Sequence, residues 1–280
     1  MNKSLKFLIE EFLYNGHIQA LGAVGIVLIA SLTLISRLPS ILYVIAFYLV
    51  FETIYLFDRY QGIKVDAETN SIRTRHLASY SQNVPLIICI AIIMLYLLLV
   101  NTFNTSAIYF ASVVLFFGLL YPVYFKKLTK RIPLFKNVYV SSVFGILIIL
   151  PSILAQEISI SSITIYLFVY VIAESMVSQI FLDTKDISSD KKEHLKTLPV
   201  LAGLNKSILI ANVLAVTSAA FALVFSRMLP TSIMLPLIFL NLGINFCTAH
   251  FVRQKRVEGY LLAAGKFSLW FFVALTSSII

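Results

Sequence analysis

The amino-acid sequence predicts an all-α polytopic membrane protein, with nine transmembrane helices around a central cavity in a single domain over residues 1–280. The first ground is composition. Of the 280 residues 59% are apolar and 12% charged, and mean hydropathy is +0.92. Such a chain shares its core with lipid, and a soluble fold is excluded. The second ground is length. Apolar runs that match a bilayer, about 20 residues each, recur at 16–37, 39–57, 83–101, 105–122, 138–155, 161–182, 207–226, 230–249 and 259–280. The third is where the basic residues fall. With nine spans, the N-terminus and the loops after even-numbered spans share one face. That face holds all 22 Lys and Arg residues except Arg37, Arg227 and Lys266. Cytoplasmic loops carry such an excess, so the N-terminus is expected inside and the C-terminus outside. The net charge of +9 then reads as orientation, and no nucleic-acid partner is expected.

Taken in order, Met1 to Tyr14 carries Lys3 and Lys6 beside Glu10 and Glu11. It lacks the continuous apolar stretch and cleavage site of a signal peptide, so a retained interfacial helix is expected. At the mouth of the first span Asn15, His17 and Gln19 form a polar group. Asn15 and His17 are candidate substrate contacts, although a lone histidine is also often structural. Glu52 lies in the second span, Glu174 in the sixth and Lys266 in the ninth. Ionisable groups there are costly and usually functional. They would pair with one another or act in proton transfer, and Lys266 would alternatively snorkel to an interface. Cys89 and Cys247 both fall inside apolar runs, which suggests neither a disulfide framework nor a zinc site.

The long loops, 58–82, 123–137 and 183–206, all fall on the predicted cytoplasmic face, and long ordered loops tend to carry function. The third reads Asp183-Thr-Lys-Asp186-Ile-Ser-Ser-Asp190, with Lys191, Lys192, Lys196 and Lys206 close behind. On a continuous helix the three aspartates fall within an arc of roughly 60°. Carboxylates so close would repel one another unless a hard cation joined them, and magnesium takes one or two carboxylates with water and phosphate oxygens. A solvated helical turn with acids at its N-terminus is the other reading. Loop 58–82 begins Asp58-Arg59-Tyr60-Gln61-Gly62-Ile63-Lys64-Val65-Asp66-Ala-Glu68-Thr-Asn70 and continues Arg73-Thr74-Arg75-His76-Leu77-Ala78-Ser79. The acid-rich loops follow spans two and six, as two similar helical halves would arrange them. The middle loop holds Tyr124 and five cations, Lys126, Lys127, Lys130, Arg131 and Lys136, which would meet a diphosphate or anionic lipid.

Asp183-x-x-Asp186-x-x-x-Asp190 followed by Thr197-Leu-Pro-Val-x-x-Gly203 resembles the second aspartate-rich motif of the UbiA superfamily of intramembrane prenyltransferases. Loop 58–82 resembles the first motif, Asn-Asp-x-x-Asp-x-x-x-Asp, in a degraded form. With Asp66 in the last position, Asp58 replaces Asn, Arg59 replaces Asp and Gly62 replaces the middle Asp. Tyr121 to Lys127 resembles the family's Tyr-x-x-x-x-Lys-Arg segment. The resemblance implies magnesium held by Asp58, Asp66, Asp183, Asp186 and Asp190 as the catalytic and metal-binding set, with Glu68 or Asn70 as further donors. It implies substrate contacts from Asn15, His17, Arg59, Arg73, Tyr124, Lys126, Lys127, Lys130, Lys191 and Lys196.

The implied activity is magnesium-dependent transfer of a prenyl group from an isoprenoid diphosphate donor to a lipophilic aromatic or alcohol acceptor. It would take place in the bilayer, with the active-site loops cytoplasmic. Two other classes remain open at this point. A UbiA-like terpene cyclase or inactive homologue is motivated by Arg59 and Gly62. An ion-coupled transporter would use Glu52, Glu174 and Lys266, but leaves the aspartate cluster without a role.

Overall fold

A computed structural model of the chain describes residues 3–67, 70–102, 104–156 and 160–278. Among them there are only helices and turns. Helix α1 (Lys3–Tyr14) leaves Leu5, Leu8 and Phe12 exposed beside Lys3 and Lys6, the pattern of a helix lying along a surface. Next come α2 (His17–Ile35), α3 (Ile41–Asp66) and the short α4 (Ser71–Ala78), then α5 (Val84–Val100) and α6 (Thr105–Val123). A 3₁₀ segment, Phe125–Lys130, leads into α7 (Phe135–Ile146), which continues through α8 (Leu150–Leu154). Helix α9 (Ser162–Asp183) is followed by the one-turn helices α10 (Ile187–Lys192) and α11 (Leu198–Ala202), and then by α12 (Leu204–Phe225), α13 (Thr231–Arg253) and α14 (Val257–Ser277).

Eight of these segments are long and apolar enough to cross a membrane. The predicted third span is α5, whose 17 residues rise about 25 Å, at the short limit for a core of about 30 Å. Among the described residues the spans therefore number eight by length and composition, against the nine predicted, with α5 as a shorter apolar helix. Helix α3 departs the other way. Its 26 residues extend about 39 Å, so Asp58 and Arg59 lie on its last turns, where the sequence predicted a loop.

The helices close a ring. Helix α2 packs on α3 and α14, α3 on α6, α7 on α9, and α9 on α12, α13 and α14. The α2–α14 contact is close because Gly25 faces the Phe267 carbonyl, and a Cβ there would collide with it. The main apolar core fills the ring with Ile26, Phe47, Phe51, Leu147, Tyr170 and Trp270, all buried.

One polar cluster binds the ring internally. Lys266 Nζ donates to the Glu174 carboxylate at 2.7 Å, the Glu174 carbonyl at 2.7 Å and Asn245 Oδ1 at 3.2 Å. All three ammonium protons thus have acceptors, and α9, α13 and α14 are joined by a pair that is 1% exposed on each side. One turn away Trp270 Nε1 donates to Asn241 Oδ1 and Asn241 Nδ2 to the Tyr170 hydroxyl. Of the alternatives open in the sequence, the structure pairs Lys266 with Glu174.

Candidate active site

Helices α2, α3, α6, α7, α9 and α14 wall a cavity of about 210 Å³. Its two ends differ in chemistry. One end is lined by Asp58, Asp183, Asp186 and Asp190 together with Arg59, Arg73, Lys126, Lys136 and Lys185. At the other, the lining residues deepest on α3, α7 and α14 are Phe51, Phe144 and Phe267. Phe144 stacks on both neighbours, with ring centroids 5.6 Å from Phe51 and 5.8 Å from Phe267.

The second acidic stretch is held by a broken helix. Helix α9 ends at Asp183, where the Thr184 hydroxyl donates to the Phe181 carbonyl and the Asp186 N–H to the Asp183 carbonyl. Asp186 then sits at the N-terminus of α10. The three aspartates therefore do not share one continuous helical face, which corrects the arc read from their spacing; a turn between Asp183 and Asp186 brings them to the same cavity instead. The residues that follow lock this turn. Thr197 Oγ1 donates to Asp190 Oδ2 at 3.0 Å. Pro199 opens α11, and Gly203 takes φ +78° at the corner into α12, where a side chain would be strained.

Each aspartate has a different environment. Asp183 is fully buried, and both of its oxygens are engaged from α7: Lys136 Nζ at 2.5 Å and Asn137 Nδ2 at 2.8 Å. Asp186 accepts from Asn70 Nδ2 at 3.1 Å, and Lys185 Nζ donates to Asn70 Oδ1 at 2.9 Å, so one asparagine bridges the two acid-rich stretches. Burial raises the Asp190 carboxyl to about 6, with Lys136 opposing and the Asp183 charge adding to the rise. Burial likewise lowers the Lys185 ammonium to about 8; Asp186 opposes this, and the charges of Arg73, Arg59 and Lys136 reinforce it. Lys126 pairs with Glu193 at 3.6 Å.

Not every predicted site residue reaches the cavity. Asp58, Asp183, Asp186, Asp190, Arg59, Arg73 and Lys126 line it. Asp66 ends α3, but its side chain, like Glu68, lies outside the described residues. Tyr124 is 62% exposed, and it, Lys127, Lys130 and Lys191 are not among the lining residues. Lys196 is tied elsewhere: its N–H donates to the Thr129 carbonyl and its ammonium to the Arg131 carbonyl. Asn15 and His17 belong to a cluster between α1, α3 and α4. There Glu11 accepts from Tyr80 at 2.7 Å and Asn15 at 2.9 Å and meets His76 Nε2 at 2.7 Å. Burial would raise the Glu11 carboxyl, but its bonds to His17, Tyr80, His76 and Asn15 hold it at about 2. His17 also contacts the Tyr48 hydroxyl at 2.5 Å and lies 3.0 Å from Glu52.

Sequence reasoning counted Lys136 among the cations of the middle loop without singling it out, and it missed Lys185. Lys185 lies between two aspartates, and that position was the available signal.

The sequence model of the UbiA prenyltransferase family matches residues 20–276. No curated protein matches the chain by sequence. Among solved structures, the apo structure of a UbiA homolog from Aeropyrum pernix K1 is similar, with a TM-score of 0.69 at 14% identity, over 95% of this chain and 99% of that one. A structure from work on digeranylgeranylglyceryl phosphate synthase in membranes is also similar, with a TM-score of 0.55 at 17% identity, over 99% of this chain and 98% of that one.

Proposed function

The chain belongs to the UbiA prenyltransferase family, and from that premise we propose that it transfers a prenyl group from an isoprenoid diphosphate to a lipophilic aromatic or alcohol acceptor inside the membrane. One observation carries the reading. A single cavity has four aspartates and five basic side chains at one end and three phenylalanines at the other. A prenyl diphosphate has the matching polarity, with a strongly anionic head and a hydrocarbon tail.

Magnesium fits the acidic side of this cavity. Among the described residues no three His, Cys, Asp or Glu side chains converge on one point. The carboxylates thus suit an ion that takes one or two of them and completes its shell with water and phosphate oxygens. Asp186 and Asp190 each give one oxygen to Asn70 and Thr197 respectively, which leaves a second oxygen on each for the cation. Magnesium would supply positive charge to the departing diphosphate.

The chain's own groups supply the rest. Arg59, Arg73, Lys126, Lys136 and Lys185 face the diphosphate oxygens and stabilise negative charge as it develops there. The allylic C–O bond breaks, and its electron pair leaves on the diphosphate. An electron pair of the acceptor then bonds to the allylic carbon, and the acceptor loses a proton to water or a carboxylate. The phenylalanine end excludes water from the carbocation and offers it aromatic faces. The polar end belongs at the cytoplasmic mouth, because it carries the basic loops. Asp186→Ala and Asp190→Ala are expected to lose most turnover while the protein purifies normally. Near-wild-type turnover of both at saturating magnesium would overturn the metal assignment.

A further inference from the structure

The cavity's polar end is unevenly divided. Asp183, Asp186 and Asp190 lie on the α9–α10 side, and Asp58 lies beside Arg59 on α3. Arg59 and Arg73 line the cavity from α3 and α4, and Lys185 joins them from the turn between α9 and α10. Three like charges are costly to gather in a half-buried place. Arg59 is the clearest case. It is 7% exposed, its Nη1 has no hydrogen-bond partner among the described residues, and its guanidinium lies over the Tyr55 ring at 5.7 Å. A buried guanidinium nitrogen without an acceptor costs free energy unless a ligand supplies one.

Resting on the prenyl diphosphate reading, the geometry points to a direct anion site in which Arg59, Arg73 and Lys185 bind phosphate oxygens with no metal ion between. The donor is then bound with a single magnesium, on the Asp186–Asp190 side. The charge arithmetic agrees. Arg59 occupies an acidic position of the motif that this stretch resembles, and a change from carboxylate to guanidinium adds two positive charges, as many as one divalent cation carries. Arginine also suits the task by shape, since its planar fork meets phosphate oxygens in pairs. Lys185 is held in place by Asn70 Oδ1 at 2.9 Å, which aligns it without neutralising it.

The probe is inorganic pyrophosphate, titrated calorimetrically into the purified full chain with either magnesium or EDTA present. Manganese binding is counted by electron paramagnetic resonance at saturating pyrophosphate. The expected result is measurable pyrophosphate binding in EDTA and one manganese per chain. Arg59→Gln should weaken the EDTA binding by about tenfold, the value of one charge-assisted hydrogen bond, and Arg59→Lys should recover most of it. Binding that needs a divalent metal, two manganese ions per chain, or an Arg59→Gln protein that binds as tightly as wild type would each overturn the inference while leaving the transferase reading intact. Pyrophosphate that fails to bind even with magnesium would remove the diphosphate reading itself, and this inference with it.

Discussion

Lys136 Nζ lies 2.5 Å from Asp183 Oδ1, while Asn137 from the same turn holds Asp183 Oδ2 at 2.8 Å. This pair joins the start of α7 to the end of α9 where the cavity changes from apolar to charged. It also separates Asp183 from its two companions. Its oxygens are already engaged, and we propose that Asp183 holds α9 and Lys136 in register.

Two consequences follow for variants. Removing one partner of a buried pair costs about 3–5 kcal/mol, because the other charge is left uncompensated. Lys136→Ala and Asp183→Ala are each expected to destabilise the protein on that scale, and the double variant to cost less than their sum. Asp183→Asn should leave the magnesium concentration for half-maximal turnover within about threefold of wild type, since both Asp183 oxygens are already held by Lys136 and Asn137. Asp186→Asn should raise it well beyond that. Thermal denaturation and magnesium titration of turnover check both. Strict additivity of the double variant, or a magnesium requirement that Asp183→Asn raises as much as Asp186→Asn, would contradict this division of labour.

Donor length is expected to be limited by the stacked phenylalanines. Asp58 and Phe51 are seven residues apart on α3, about 10 Å along its axis. Four bonds of about 1.5 Å each make an isoprene unit near 5 Å long, so the cavity matches donors of about two units. Phe144→Ala should raise kcat/KM for a three-unit donor relative to a two-unit donor by about tenfold, the scale on which pocket size discriminates. Competition assays with mixed donors read the ratio directly. An unchanged ratio would mean that the tail leaves the cavity by another route.

Much of the fold was legible because a bilayer imposes one length scale on every span. The apolar runs predicted helix positions to within a few residues over most of the chain, and the second motif's Thr197 and Gly203 do locate structural roles. Three features were not legible. The period of the three aspartates suggested one helix, yet Thr184 bonding back to Phe181 ends α9 one turn early for that pattern. Which lysines face the cavity depends on side-chain direction at turns, where no periodicity applies, so Lys127 and Lys196 were chosen, Lys136 was not singled out from its loop and Lys185 was passed over. A charge pair for Lys266 was expected, but the choice of Glu174 over Glu52 goes with Asn245 from a third helix, and no local spacing announces it.

The sidedness of the site rests on the basic loops. Ser188, exposed on α10, is a suitable reporter between Asp186 and Asp190. A Ser188→Cys protein should react with an impermeant thiol reagent only once the cytoplasmic face is opened, with the Ser188-containing peptide identified by mass spectrometry. Labelling of that peptide in intact cells would reverse the topology.

The central claim is transfer itself, and product analysis tests it most directly. Purified protein in lipid nanodiscs is incubated with labelled prenyl diphosphates, magnesium and a panel of aromatic and alcohol acceptors. Released pyrophosphate is quantified, and the lipid-soluble product is weighed by mass spectrometry. The account predicts one pyrophosphate per product and a product heavier than its acceptor by one prenyl group less a proton, with both signals lost in EDTA and in Asp186→Ala. Pyrophosphate release with only a donor-derived hydrocarbon, or no acceptor-dependent product from any donor, would contradict it.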